Sequence, residues 1–317
     1  MNDMRACKNA FTSTLTKLAG KDPSIVALTS DARGSVSLGG FIDACPNQFI
    51  ETGIAEQNLV GIAAGLASCD KRAFVCAPAC FLSARSLEQI KVDVAYTGTN
   101  VKIIGVSGGV SYGVLGTSHH PLHDIAVMRA ISGIRIFLPC DARQTRKLTQ
   151  WLATNDGPAN IRMGRSPVAE VYEHDDPSFE PGKANLLREG SDLTLIACGE
   201  MVRNALDAAL LLEKDGISVR VLDMHTLKPF DDEAVIKAAM DTGLIITVEE
   251  HSVNGGLGAA TAQTIVERWP IPMRILGIPD EDIITGSSTE ILRHYGLDPA
   301  GIAQSAKEMH IAQKTRR

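Results

Sequence analysis

The stretch Glu51-Thr-Gly-Ile-Ala-Glu56-Gln-Asn-Leu-Val-Gly61-Ile-Ala-Ala-Gly65-Leu-Ala67 decides how the chain is built. Wound as a helix over 56–67, it sets Leu59, Ile62, Ala63 and Leu66 on one face. Gly61 and Gly65, four residues apart, leave room for a second backbone to approach. So many small side chains do not suit a helix that faces water. Two readings are open for Glu56: an anion that charges the N-terminal turn, where the helix dipole favours it, or a carboxylate facing an interface or pocket.

Outward from this helix, short β-branched runs alternate with helical patterns. Strands are expected at 25–29, 73–76, 101–106 and 134–138, with helices at 81–95, 125–131 and 142–153. Such alternation implies βα units and a parallel sheet covered on both faces. The stretch Tyr172-Glu-His-Asp-Asp-Pro-Ser-Phe-Glu-Pro-Gly182 breaks the pattern, being acidic, proline-punctuated and without periodicity. Alternation then resumes: strands at 193–197, 219–222, 244–249 and 273–276, helices at 202–214, 234–240 and 257–268. The expectation is an α/β fold of two three-layer α/β/α domains, 1–171 and 190–317, joined by a linker over 172–189.

Composition narrows the function. The 317 residues are 44% apolar and 21% charged, which excludes disorder, and the net charge of −6 with no long Lys/Arg run argues against nucleic acid as the partner. No apolar stretch reaches the roughly 18 residues of a membrane span, and residues 1–10 hold no signal-peptide core. Seven scattered cysteines read as reduced, mostly buried thiols, and a cytoplasmic location is expected.

Gly53-Ile-Ala-Glu-Gln-Asn58 followed by Gly61-Ile-Ala-Ala-Gly-Leu-Ala67 resembles the pyrimidine-binding domain of transketolase-like thiamine diphosphate enzymes. The resemblance implies that Glu56 hydrogen-bonds N1′ of the cofactor's aminopyrimidine. A carboxyl group there favours the imino tautomer that acts as the cofactor's own base. Phe81, opening Phe81-Leu-Ser-Ala-Arg-Ser-Leu-Glu-Gln-Ile90, matches the family's aromatic that packs on the pyrimidine, although ordinary core packing also suits a lone Phe. The family's two further aromatics are replaced by Pro78 and Ala84.

Thr29-Ser-Asp-Ala-Arg-Gly-Ser35 is similar to the family's strand end, which implies Asp31 beside the cofactor and Ser35 near a substrate anion; an Asx-type turn is the other reading of this segment. The glycine-rich segment Ser107 to Asp124 carries His119, which fits the family's histidine for substrate hydroxyls. His119, His120, His123 and Asp124 lie close in sequence, yet adjacent histidines rarely reach one ion, and no metal centre is expected there. Arg165 matches the family's anion-binding arginine, with Arg162 as the next candidate.

Two departures bear on substrate. Ser107 and Leu115 stand where the family has a phosphate-binding His and an Asp for the 2-hydroxyl. Leucine accepts no hydrogen bond, so a substrate outside central pentose metabolism, such as a branched sugar phosphate or a sulfosugar, is implied. In the second half, Val248-Glu-Glu-His-Ser-Val-Asn-Gly-Gly-Leu-Gly258 resembles the transketolase C-terminal domain, expected to serve subunit contact and stability. Gly-Asp-Gly, the family's mark of the Mg²⁺ and diphosphate site, occurs nowhere.

The resemblance therefore implies one half of a split transketolase, a transferase of ketol groups inactive alone. A partner carrying the N-terminal-type domain would hold diphosphate and Mg²⁺, in a heterotetramer containing two copies of this chain. The β subunit of a 2-oxo-acid dehydrogenase and a cofactor-free regulatory homologue are the competing readings.

Overall fold

A computed structural model describes residues 4–173 and 177–316; His174, Asp175 and Asp176, in the expected linker, lie outside the described residues. The larger sheet has seven strands in the order Thr226–Lys228, Arg135–Phe137, Ala159–Met163, Val101–Val106, Arg72–Pro78, Ile25–Thr29, Phe49–Glu51. All pair in parallel except the first, which is antiparallel. Every residue of Val101–Val106 is buried, as befits a central strand with helices on both faces. The smaller sheet orders Met273–Ile278, Ile245–Ser252, Leu193–Ala197, Val219–Asp223, Asn185–Arg188, with only the last strand antiparallel. The expected α/β architecture is therefore present.

Of the differences from the sequence reading, four bear most on the site and on the junction of the halves. The helix expected over 81–95 is broken: Ala79–Arg85 ends at Ser86, and Leu87–Gln89 leads into a wider helical turn over Ile90–Tyr96. Ser86 Oγ donates back to the Leu82 carbonyl, a local bond that competes with the helix ladder. Second, Asn185–Arg188, placed in the expected linker, is the edge strand of the smaller sheet, pairing with Val219–Asp223. Third, an unanticipated helix, Cys7–Ala19, buries Phe11 and Leu15. It follows a short ribbon in which Met4–Ala6 pairs antiparallel with Pro167–Ala169.

The fourth difference concerns the two halves. Thr226–Lys228 crosses from the second half to extend the first sheet, and Leu138 donates its N–H to the His225 carbonyl. One apolar cluster runs from Val26, Leu28 and Val75 through Ile136 and Leu227 to Ile196, Leu222 and Ile245. Each such side chain contributes about 1.5–3 kcal/mol on burial, so the halves share a core rather than merely touch. Among the described residues, no helix is long and apolar enough to cross a membrane. All seven cysteines are free, and only Cys69 is exposed.

Candidate functional site

At the carboxyl ends of Ile25–Thr29 and Arg72–Pro78 lies a cavity of about 470 Å³. Crevices at this edge are where parallel sheets take ligands. Ser30, Asp31, Ser35, Ile54, Glu56, Pro78, Phe81, Arg85, Tyr112, Leu115 and His119 line it. A roomier cavity of about 550 Å³ in the second half, walled by Met240, Trp269 and Met309, gathers no such set of polar groups, so size alone does not select the site.

Glu56 opens the helix Glu56–Ala67 and is only 4% exposed. Its Oε1 accepts from Ser30 Oγ at 3.2 Å and its Oε2 from Arg85 Nη1 at 3.0 Å. The Arg85 guanidinium also lies over the Phe81 ring, 4.2 Å from its centroid. Phe81 meets His119 edge-on at 5.3 Å, and His119 meets Tyr112 at 5.5 Å. Asp31 sits in the left-handed region at φ 54°, a conformation Asp tolerates better than most residues. Glu51 holds this turn: its Oε1 accepts from the N–H groups of Asp31 (2.7 Å) and Gly53 (3.0 Å).

A positive rim completes the cavity. Arg165 lies over the Tyr112 ring at 4.6 Å. Lys8 Nζ donates to the Ser35 carbonyl at 2.9 Å, and burial together with the nearby Arg165 holds its ammonium below the usual lysine range.

The second half braces the loop that carries Tyr112 and His119. Glu250 Oε1 accepts from the Val110 N–H at 2.7 Å, and Ser288 Oγ donates to the Val110 carbonyl at 2.9 Å. Gly109 must be glycine on two counts: its φ is +58°, and a Cβ there would fall within 2.5 Å of the Glu250 carboxylate.

Arg162 stands apart from the cavity lining. Expected as a second substrate arginine, it is buried away from the cavity, its Nε on Asp124 Oδ2 at 3.0 Å and its Nη2 on the Glu250 carbonyl at 2.6 Å. It clamps the two halves together. The His-rich run also disperses. His119 faces the cavity, His120 is buried, His123 Nε2 reaches Ser83 Oγ at 3.3 Å, and Asp124 is committed to Arg162. Ala84 lies outside the cavity lining, and Ser107 is buried behind it, so of the substituted positions only Pro78 and Leu115 shape the walls.

Residues 3–170 match the family model "Transketolase, pyrimidine binding domain", and residues 182–302 match "Transketolase, C-terminal domain". The chain belongs to the transketolase family. It is 58% identical over 307 residues, covering 97% of this chain and 98% of the other, to an apulose-4-phosphate transketolase subunit of Phocaeicola vulgatus. It is 38% identical over 302 residues, 95% and 94% of the two chains, to a 6-deoxy-6-sulfo-D-fructose transketolase subunit of a Clostridium species. A solved structure described as "Split gene transketolase, inactive beta4 tetramer" superposes with a TM-score of 0.87 at 39% identity, covering 96% of this chain and 97% of that one.

Within this transketolase fold, Asp31, Ser35, Glu56, Phe81 and His119 share one cavity, with Arg165 at its rim. Sequence reasoning missed Arg85, Lys8 and Tyr112. Arg85 carried a signal, standing four residues after Phe81 and hence on the same helix face. Lys8 carried none, because only the ribbon Met4–Ala6 with Pro167–Ala169 brings it towards Arg165.

Proposed function

We propose that this chain is the pyrimidine-side subunit of a two-subunit, thiamine diphosphate-dependent transketolase, working in the cytoplasm. The observation that carries the proposal is Glu56, a carboxylate almost wholly buried yet forming part of the wall of an open cavity beside an aromatic ring. That wall fits an aminopyrimidine, which needs a flat apolar face and an acid at its edge. When bound, thiamine diphosphate supplies a nucleophilic carbon and an electron sink for ketol transfer.

The protein's own groups do the rest. Glu56 holds the proton shared with the pyrimidine edge, with Ser30 fixing its second oxygen. Phe81 presents the stacking surface, and Asp31 lines the same cavity. His119, wedged between Phe81 and Tyr112, is oriented towards substrate hydroxyls. Arg165, Lys8 and Ser35 take the substrate's anionic end. Diphosphate and Mg²⁺ belong to an N-terminal-type partner chain, since no Gly-Asp-Gly occurs in this sequence. Each active site then lies between two chains, and a heterotetramer with two copies of this one follows from two-fold symmetry.

Leu115 at the cavity wall withholds the hydrogen bond that an ordinary ketose 2-hydroxyl would take. Together with the apulose-4-phosphate and sulfofructose relatives, this supports a sugar phosphate or sulfosugar outside central pentose metabolism, with apulose 4-phosphate as the first to test. The test is ketol transfer by the chain co-expressed with its partner, using apulose 4-phosphate, 6-deoxy-6-sulfofructose and xylulose 5-phosphate as donors. Glu56→Gln should lower turnover at least about 10²-fold while assembly, read by size, is unchanged. Near wild-type transfer by that variant, or turnover by the single chain unaided, would sink the proposal.

A further inference from the structure

The Arg85 guanidinium occupies the place that the foregoing reading gives to the aminopyrimidine. It is planar, its Cζ lies over the Phe81 ring 4.2 Å from the centroid, and it hydrogen-bonds Glu56 Oε2 at 3.0 Å. A flat stack on Phe81 and a hydrogen bond to Glu56 are the two contacts a pyrimidine in this cavity must make. Ser30 holds the other carboxylate oxygen at 3.2 Å, so a pyrimidine edge that approaches Oε2 beside Phe81 meets Arg85 on the same atom. From this overlap we infer that Arg85 is a displaceable plug, a side chain that fills the pyrimidine half-site and must swing out before cofactor can enter. The inference rests on the thiamine diphosphate reading.

Several features suit Arg85 to that task. Its side chain is 50% exposed, against 4% for Glu56, so the head can move into water while the carboxylate stays put. It is the last residue of Ala79–Arg85, and the backbone departs from the helix at Ser86, which leaves its solvent side open. Arginine is delocalised, weakly hydrated and stacks on aromatic rings, whereas lysine would keep the charge and lose the flat stack. In the closed form the plug lies over the Phe81 ring and pairs the Glu56 carboxylate, which would otherwise be a buried charge without a cation.

The plug's hold is modest. A half-exposed ion pair and an exposed cation–π contact together correspond to about a 3- to 30-fold effect on competing binding. The experiment titrates the full-length chain with 4-amino-5-hydroxymethyl-2-methylpyrimidine by calorimetry or ligand-observed NMR. This probe needs no diphosphate site and hence no partner. Arg85→Met should bind it roughly 3- to 30-fold more tightly than wild type, with Arg85→Lys between the two. Added salt should tighten wild-type binding by screening the Arg85–Glu56 pair and leave Arg85→Met unaffected. Thermal melts of both variants confirm folding.

Equal or weaker binding by Arg85→Met, or none at millimolar probe, overturns the plug. Adding Glu56→Gln to Arg85→Met separates the two ideas. Loss of pyrimidine binding on that change supports the cofactor reading whether or not the plug survives. Unchanged binding refutes the cofactor reading, and the plug with it.

Discussion

Replacing Arg162 by methionine removes a buried guanidinium and keeps most of its length. The wild-type group donates to Asp124 Oδ2 at 3.0 Å and to the Glu250 carbonyl at 2.6 Å, with Asp124 and Glu250 both buried. Breaking a buried pair from one side strands the remaining charge, at a cost of about 3–5 kcal/mol. With an unfolding entropy near 2.1 cal/mol/K per residue, a chain of this size should lose roughly 4–8 °C in melting temperature. Circular-dichroism melts of Arg162→Met give this directly. The double variant Arg162→Met with Asp124→Asn should recover part of the loss, because the stranded anion is then gone. Substrate affinity of the assembled enzyme at 25 °C should be nearly unchanged. An unaltered melt with a strongly raised KM would refute the argument and return Arg162 to the substrate site.

The remaining predictions concern the rim and pH. Arg165→Ala is expected to raise KM for anionic sugars by roughly 10- to 100-fold, as for a lost charge-assisted hydrogen bond, and to leave neutral ketoses little affected. Equal losses for both substrate classes would mark Arg165 as structural. Burial pushes the carboxyls of Glu200, Asp223 and Glu249 up to about 8, about 7 and about 7 respectively. The folded state therefore keeps protons that the unfolded chain has released, while the buried His225 and His251, held down to about 4, act in the opposite sense below about 6.5, so stability should fall as pH rises from about 6.5 to 8 and then level. Urea midpoints across that window test the sign, and Glu200→Gln should flatten the upper end; a midpoint that climbs with pH contradicts it.

The parallel character of the first sheet was legible because Val101–Val106 and Ile25–Thr29 are short runs rich in β-branched residues, separated by helical patterns. The residues alone left Glu56 open between a helix-end charge and a pocket carboxylate, and it was the motif's resemblance to the pyrimidine-binding domain that pointed to the cavity it lines. What escaped was whatever depends on distant pairing. Lys8 reaches the rim through a three-residue ribbon, and Thr226–Lys228 joins the other half's sheet; neither segment is long enough to show a period. The partners of Arg162 were hidden for a related reason. Its position at a strand's carboxyl end suits an anion clamp, but the strand's alternation turns it inward, towards Asp124 and Glu250. Arg165, beyond the strand's last residue, is free of that constraint.

The borrowed strand Thr226–Lys228 also settles where this molecule can bend. Lys228 Nζ grips the carbonyls of Arg129 and Ile131, and the strand itself seals the edge beside Arg135–Phe137. A chain severed near residue 189 would bare that edge as a template for aggregation and tear one apolar core in two. Such a waist has no hinge. Substrate cannot be swallowed by one half rotating on the other, so any opening and closing of the cavity falls to side chains, to the loop bearing Tyr112 and His119, or to a neighbouring chain sliding over its mouth.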